Sequence, residues 1–109
     1  MAAEKQFEDQ IKKYLTDRGH WWVKYFANRN TRSGVPDILA CIRGRFVAIE
    51  VKAQTGRASE LQLYNRRKIR EAEGISIILY PSDFEEFKRL VLQIETGNYQ
   101  THMQYVFDK

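Results

Sequence analysis

Asp37, Glu50 and Lys52 are the residues whose types and spacing could perform chemistry. Asp37 precedes one apolar run, Glu50 and Lys52 close the next, and the turn Arg43-Gly44 separates the two runs. Two such runs around a short turn are typical of a β-hairpin. In the register of a two-residue loop, Asp37 lies opposite Glu50, and opposed residues project to one face about 4.5–5.5 Å apart. Lys52 has the parity of Glu50, so three charges should converge at the open end of the hairpin.

The apolar residues of the hairpin support this register. A slip of one residue would send the two carboxylates to opposite faces of the sheet, so the interpretation depends on the two-residue loop. The residues expected on the other, apolar face are Ile38, Ala40, Ile42, Val47, Ile49 and Val51.

Two carboxylates held close together repel each other unless a positive group lies between them. Mg²⁺ or Mn²⁺ fits this position, because hard cations take oxygen ligands and keep several waters. A bound ion of this kind polarises a phosphate oxygen and acidifies a water. Lys52 is close enough to orient that water or to stabilise charge on the phosphate.

The net charge of +4 is unevenly distributed along the 109 residues. Residues 24–70 hold eleven Lys and Arg against three acids, a net +8, and the flanks are a net −4. Charge counts alone would favour a solvated basic surface. The acidic pair at the centre instead favours a polyanion that meets a metal ion.

The same residues resemble the PD-(D/E)XK nuclease pattern, and further features resemble its VRR-NUC (virus-type replication-repair nuclease) family. The resemblance covers roughly residues 4–80. The features that carry it are Glu8 in an N-terminal helix, Gly34, Pro36-Asp37, Glu50-Val51-Lys52 and Ser59-x-x-Gln62.

The resemblance implies a metal-dependent DNA endonuclease, resolvase-like and concerned with DNA repair, that acts on branched DNA such as four-way (Holliday) junctions. It implies that Asp37, Glu50 and the Val51 carbonyl hold Mg²⁺ or Mn²⁺. Lys52 and Gln62 would then help to place the attacking water. Glu8 would lie near the metal, although the residues alone favour an exposed helical glutamate. The chain looks like the minimal, stand-alone type found in phages and bacteria.

Gln62 also has a purely structural explanation. Ser59 and Gln62 have the spacing of a capping box that opens a helix ending near residue 73. The family makes the same glutamine an active-site residue. Both roles are compatible, because a helix start that faces the metal would bring Gln62 close to the phosphate.

Several arginines are candidate phosphate contacts, and for each the alternative is a solvated side chain. Two lie in the polar loop before Pro36, one precedes the central helix, and two lie on that helix within a basic run that continues through Lys68 and Arg70. The candidates for nucleic-acid binding are Arg29, Arg32, Arg57, Arg66 and Arg67.

Periodicity predicts the elements that must position these residues. Apolar periodicity predicts one helix over 3–18 and another that begins with a capping box at Ser82 and ends near residue 94. An aromatic strand over 20–27, apolar on both faces, is expected to be covered on both sides. With the hairpin, the central helix and a buried strand over 76–80, the order is α-β-β-β-α-β-α. This order predicts one domain over 1–109, an α/β restriction-endonuclease-like core with a mixed sheet flanked by helices.

Other features limit the possible classes of protein. The lone Cys41 excludes an internal disulfide and is expected to be a small buried hydrophobe. His20 lacks a second His or Cys at ligand spacing, so it is interpreted as a strand-edge residue. No signal peptide or membrane-spanning run is evident, which fits a cytoplasmic protein, in the host cytoplasm if phage-encoded.

Two other functions and one assembly remain as alternatives. The chain could be a non-catalytic nucleic-acid-binding module, or an inert hairpin with a Glu50–Lys52 or Asp37 ion pair. A homodimer is expected because a two-fold dimer would match the symmetry of a four-way junction. Its contacts are predicted at Trp21-Trp22 and in the tail after Gly97, where the tail adds an edge strand or meets a partner subunit. The alternative is that these aromatic residues complete the core of a monomer. The tail aromatics are Tyr99, Tyr105 and Phe107.

Overall fold

The computed structural model describes residues 2–109, which form three α-helices, four strands and two 3₁₀ helices. In chain order the elements are α1 (Ala2–Asp17), β1 (Trp21–Lys24), β2 (Ile38–Ile42), β3 (Arg45–Val51), α2 (Glu60–Glu71), β4 (Ile75–Leu79), a 3₁₀ helix (Pro81–Asp83), α3 (Phe84–Glu95) and a second 3₁₀ helix (Thr101–Phe107).

The four strands form one mixed sheet in the order β1-β2-β3-β4. The first three strands are antiparallel, and β4 runs parallel to β3. A parallel neighbour requires a crossover connection, which α2 supplies. The predicted mixed sheet flanked by helices, and the predicted order of elements, are confirmed.

One face of the sheet carries the main hydrophobic core. Alternate residues of the strands point to this face, where α1 and α3 cover them. The predicted apolar stripe of α1 is confirmed, since Phe7, Ile11 and Leu15 are all buried. The strand residues of this core are Ile38, Ala40, Ile42, Val47, Ile49, Val51, Ile75, Ile77 and Leu79.

The chain after Gly97 forms the 3₁₀ helix Thr101–Phe107, so of the two alternatives for the tail the edge strand is wrong. This segment packs on β4 through two buried side chains, Gln104 and Phe107. The Gln104 amide oxygen accepts hydrogen bonds from the backbone N–H of Ser76 and from the Arg70 guanidinium. Arg70 also donates to the Ser76 carbonyl. The tail is therefore fastened to the sheet by side chains rather than by a ladder.

The aromatic strand is shorter and more exposed than predicted. It spans only Trp21–Lys24, at the edge of the sheet, and the Trp21 side chain is 63% exposed. The prediction that both its faces are covered is therefore wrong. Trp22 alone of the two tryptophans packs against the core, and its indole N–H donates to the exposed Thr16.

Cys41 is exposed, so the prediction that it is buried is also wrong. It lies on β2 opposite Trp21 and Phe46, on the sheet face that points away from the core. Trp21 and Phe46 are themselves largely exposed. The apolar character of these side chains therefore reflects an uncovered part of the sheet.

The helix after β4 begins differently from the prediction. A 3₁₀ turn comes first, and neither its start nor the start of α3 has a capping side chain. Ser82 instead exchanges hydrogen bonds with the amide of Gln54 across the sheet end. The predicted capping box at Ser82 is therefore wrong. Among residues 2–109, no helix has the length and apolar character needed to cross a membrane.

Candidate active site

The hairpin has the predicted register. Ile42 pairs with Arg45 and Ile38 pairs with Ile49, so the next step places Asp37 beside Glu50. The Asp37 carboxylate accepts a hydrogen bond from the backbone N–H of Val51 at 2.8 Å. Asp37 is thereby fixed to the strand that carries Glu50.

Glu50 is buried, with only 6% of its surface exposed. Burial, followed by the charge of Asp37, raises the pKa of Glu50 to about 8, although Lys52 acts in the opposite direction. The Lys52 ammonium lies 3.8 Å from one Glu50 oxygen, so the predicted convergence of these three charges is observed. The other oxygen, Oε1, is buried without a hydrogen-bond partner.

Gln62 has both of the roles that the sequence allows, since it caps α2 and contacts an active-site carboxylate. Its side-chain oxygen accepts from the Ser59 N–H at 2.9 Å, and the Ser59 hydroxyl accepts from the Gln62 N–H, which completes the predicted capping box. Its side-chain N–H donates to Glu50 at 2.8 Å. The start of α2 is thus coupled directly to the carboxylate pair.

Replacing Gln62 by Glu is expected to separate these two contacts. Glu serves a capping box as well as Gln does, so the helix start should be retained. The second oxygen, however, would face Glu50 and place two acceptors against each other. We expect nearly unchanged melting and, for the DNA cleavage that the resemblance implies, a rate reduced by at least about tenfold, the factor that corresponds to one weakened hydrogen bond to a charged group.

The matched control is Ser59→Ala. It removes the cap and should cost about 1 kcal/mol of unfolding free energy. It leaves the bond from Gln62 to Glu50 in place, so cleavage should stay near normal. Melting curves and cleavage rates of both variants test this. Equal rates for Gln62→Glu and the parent would assign Gln62 to the cap alone.

Glu8 is buried in α1 and lies near Asp37 through a shared lysine. Lys24 donates to Glu8 at 2.8 Å and to Asp37 at 3.4 Å. Lys12 binds the other Glu8 oxygen at 2.7 Å. Burial alone would raise the pKa of Glu8, but the bonds from Lys12 and Lys24 outweigh it and lower that pKa. Both Glu8 oxygens are therefore engaged by lysines.

Lys24 is the site residue that the sequence analysis missed. Burial alone would lower its pKa, but the contacts with Glu8 and Asp37 raise it above the usual value. A signal was present in the sequence, because Lys24 is the one charge in an otherwise aromatic stretch. The register Lys24↔Ile38 would have placed it beside Asp37, but only after the pairing of β1 with β2 was known.

Gly34 sets the path of the chain into Asp37. Its φ of +76° lies in the left-handed region that favours glycine. A Cβ there would meet Leu61 of α2 at 2.6 Å and Asn65 at 2.8 Å. The loop before Pro36 can therefore approach α2 only because residue 34 is glycine.

The carboxylate pair fits a hard divalent cation. Oxygen donors are the ligands that Mg²⁺ and Mn²⁺ prefer, and Glu50 Oε1 is a buried acceptor without a partner. Residues 2–109 contain no cluster of three or more His, Cys, Asp or Glu placed to hold an ion. Any ion here would rely on two carboxylates, main-chain oxygen and water.

The predicted DNA-binding arginines differ in their surroundings. Arg29 and Arg32 are exposed in the loop between β1 and β2, and Arg57 is exposed before α2. Arg66 lies 3.3 Å from Asp108, and Arg67 lies 3.8 Å from Glu71. Arg70, part of the same basic run, is held by the tail and by Ser76. Among the basic residues of α2, Arg70 therefore has a structural role, because it joins this helix to the tail and to β4.

His20 directly precedes β1, which fits its interpretation as a strand-edge residue, and its side chain also pairs with a carboxylate. Its ring nitrogen lies 2.6 Å from Glu95 at the end of α3, and Arg18 binds the same carboxylate. The bond from Arg18, together with His20, lowers the pKa of Glu95 to about 2. This group ties the end of α1 to α3 and lies apart from the carboxylate pair.

A family model described as archaeal Holliday junction resolvase (hjc) matches residues 2–99. That family has the restriction-endonuclease-like fold of the PD-(D/E)XK nuclease superfamily, so the predicted fold class and superfamily are confirmed. No curated protein sequence matches the chain.

Proposed function

The chain belongs to the archaeal Holliday junction resolvase family, and from this premise we propose that it is a Mg²⁺- or Mn²⁺-dependent endonuclease that cuts four-way DNA junctions. The observation that carries the proposal is the pairing of Asp37 with Glu50, where a buried oxygen of Glu50 lacks a partner. Phosphate would be repelled by two carboxylates unless a cation intervened.

In this proposal Asp37, Glu50 and the Val51 carbonyl hold the cation. When bound, it supplies polarisation of a phosphate oxygen and a more acidic water. The Gln62 side chain keeps Glu50 oriented through its 2.8 Å hydrogen bond. Asp37 is kept in place by the Val51 N–H and by Lys24.

Lys52 is the positively charged side chain that we propose takes part in catalysis. It lies beside Glu50 and is largely buried, so its charge is poorly screened by solvent. An ammonium at this place can orient a water and stabilise negative charge on the phosphate. Glu8 and Lys24 are positioning residues, because each acts through Asp37.

The arginines would hold the phosphates on either side of the cut. Arg29, Arg32 and Arg57 are exposed, and Arg66 and Arg67 would exchange their present acidic partners for phosphate. Contacts of this kind position the backbone without reading sequence. Selection of branched DNA would then come from the shape of the junction.

Removal of divalent ions is expected to abolish cleavage. Labelled four-way junctions, linear duplex and single strands would be incubated with Mg²⁺, with Mn²⁺ and after thorough chelation by EDTA. We expect junction cleavage only with the ion, because without it nothing polarises the phosphate oxygen or makes the attacking water more acidic. Undiminished cleavage in EDTA would contradict the metal site, and binding without any cleavage would favour the nucleic-acid-binding module.

We also propose that the working unit is a homodimer. Two cuts on strands related by a two-fold axis need two sites in matching symmetry. Trp21 and Tyr105 are exposed and available for contact, whereas Trp22 packs in the core and Phe107 is buried. Light scattering at micromolar protein should give twice the monomer mass, and Trp21→Lys should lower it. A monomer on a four-way junction that still makes paired cuts would contradict this assembly.

Some finer assignments remain predictions. They are membership of the VRR-NUC family, a phage or bacterial origin, a role in DNA repair, the interpretation of residues 1–109 as one nuclease domain, and a cytoplasmic location.

A further inference from the structure

A cleft of about 640 Å³ lies next to the end of β4, and of its lining residues only Arg57 and Arg66 have a role in the proposed reaction. We call it the side cleft. Its walls come from the loop after Lys52, the first turns of α2, the end of β4 and the tail. The lining residues that matter for its chemistry are Arg57, Leu63, Arg66, Tyr80, Asp83 and Phe107.

Asp83 gives the side cleft an unused hydrogen-bond acceptor. It is 5% exposed, and one of its oxygens pairs with the ammonium of Lys109. The other oxygen, Oδ2, is buried without a partner. Within residues 2–109 the only other side-chain atom in this state is Oε1 of Glu50. Burying an unsatisfied charged acceptor is costly, so the site is suited to a ligand that brings an N–H donor.

The same cleft is also suited to an anion. Arg57 and Arg66 both line it, and Arg57 forms no ion pair with any residue from 2 to 109. Leu63 and Phe107 add apolar groups to the wall of the cleft. A ligand that combines an anionic group, a flat apolar ring and an amino group fits this lining, and a nucleotide is such a ligand.

The side cleft shares its walls with the candidate active site. Ile78, which lines the cleft, is the strand partner of Glu50. The Tyr80 hydroxyl donates to the Gly56 carbonyl at 3.0 Å, which holds the loop after Lys52 against the end of β4. A ligand in the cleft would therefore lie one strand away from the phosphate to be cut.

We propose that the side cleft binds one nucleotide whose base carries an amino group, with the phosphate near Arg57 and Arg66 and the amino group donating to Asp83. The nucleotide comes either from the branched DNA, unstacked at the branch point, or from free nucleotide in solution. The first source rests on the proposed nuclease function. Extruding a base costs least where it is already unpaired, as at a branch.

Titration of the protein with single nucleotides tests the site without DNA cleavage. Backbone amide resonances of Gly56, Ser82 and Asp83 would be followed by NMR with dAMP, dCMP, dGMP, dTMP and inorganic phosphate. Thymine lacks an exocyclic amino group, and its one ring N–H on this edge is flanked by two carbonyl oxygens that a carboxylate repels, so dTMP should bind about tenfold more weakly, the factor for one hydrogen bond to a charged group. Absence of shifts, or equal affinity for all four nucleotides and phosphate, would overturn the proposal.

Two matched variants separate the acceptor from the ion pair. Asp83→Asn should abolish the preference for dAMP, dCMP and dGMP over dTMP, because the charged acceptor is lost. Lys109→Met removes the same ion pair but keeps Oδ2, so it should retain the preference. If Asp83→Asn does not fold, Ala58→Leu gives a second test, because Ala58 lines the cleft and a larger side chain should exclude the nucleotide. Unchanged binding by Ala58→Leu would contradict the site.

A junction with 2-aminopurine at the branch point identifies the source. In EDTA, which prevents metal-dependent cutting, binding should raise its fluorescence several-fold if the base unstacks into the cleft. No rise, with the nucleotide preference intact in the NMR titration, would assign the site to free nucleotide. Failure of both measurements would overturn the cleft even if junctions are cut normally. Loss of cutting with normal nucleotide binding would instead contradict the proposed nuclease.

Discussion

Asp37→Asn and Glu50→Gln are each expected to reduce junction cleavage on the order of 10³-fold, because each removes a charged ligand from a site that supplies several kcal/mol of transition-state stabilisation. Both substitutions preserve shape. Asn keeps an oxygen that can accept from the Val51 N–H, and Gln keeps one that can accept from Gln62. DNA binding should persist, since the net +8 of residues 24–70 is hardly changed.

Although Glu50→Gln should lose activity, it should be more stable than the parent at high pH. A carboxyl whose pKa is raised to about 8 stabilises the fold when protonated, and that contribution is lost as pH rises from the unfolded pKa of 4.5 through the folded one. The neutral Gln escapes this loss. In chelator, the melting temperature of Glu50→Gln should therefore exceed that of the parent above pH 8, and the difference should shrink towards pH 5.

Rates on labelled junctions, binding at fixed salt and melting curves test both variants together. Unchanged turnover in either variant would remove that residue from the metal site. A lower melting temperature for Glu50→Gln at high pH would contradict the argument that Glu50 is a buried, uncompensated charge.

Lys24→Met is expected to lower both stability and cleavage. It leaves Glu8 with Lys12 alone, and a buried charge that loses one partner costs about 1–3 kcal/mol. Asp37 also loses its cation, and misplacing a reacting group by about 1 Å can cost on the order of 10²-fold in rate. Lys24→Arg, which keeps the charge, should recover part of both losses.

A double-mutant cycle shows whether the effect passes through Glu8. Glu8→Gln combined with Lys24→Met removes both charges of the Glu8–Lys24 pair. The double variant should therefore lose about 0.5–3 kcal/mol less unfolding free energy than the two single variants added together. Denaturant unfolding measures this coupling, and junction cleavage measures the role of Asp37 separately. Normal cleavage by Lys24→Met would show that Lys24 does not position Asp37.

The hairpin could be predicted from the sequence because its information is local. A two-residue loop at Arg43-Gly44 fixes the register, and the register fixes which charges meet. Both turn residues have positive φ, at 49° and 83°, as tight hairpin turns require. Ser59 and Gln62 are likewise close in sequence, so their cap was predictable.

The features that were missed or predicted wrongly depend on tertiary contacts, which sequence periodicity does not reveal. Trp21 is as apolar as Trp22, but only the latter faces α1. Tyr105 is largely exposed and Phe107 buried, because a 3₁₀ helix rather than a strand places them on β4. Lys24 could not be assigned to the site until β1 was paired with β2. Sequence distance, rather than residue type, separated the predictable features from the others.

Ser76 shows how this sheet is protected against aggregation at one of its two edges. Its N–H and C=O, which on an edge strand could recruit a foreign strand, are occupied by the side chains of Gln104 and Arg70. At Ser76 the β4 edge therefore presents no free backbone group to an added strand. Loss of Gln104 would free the Ser76 N–H at this edge, so it is expected to lower solubility before it affects catalysis.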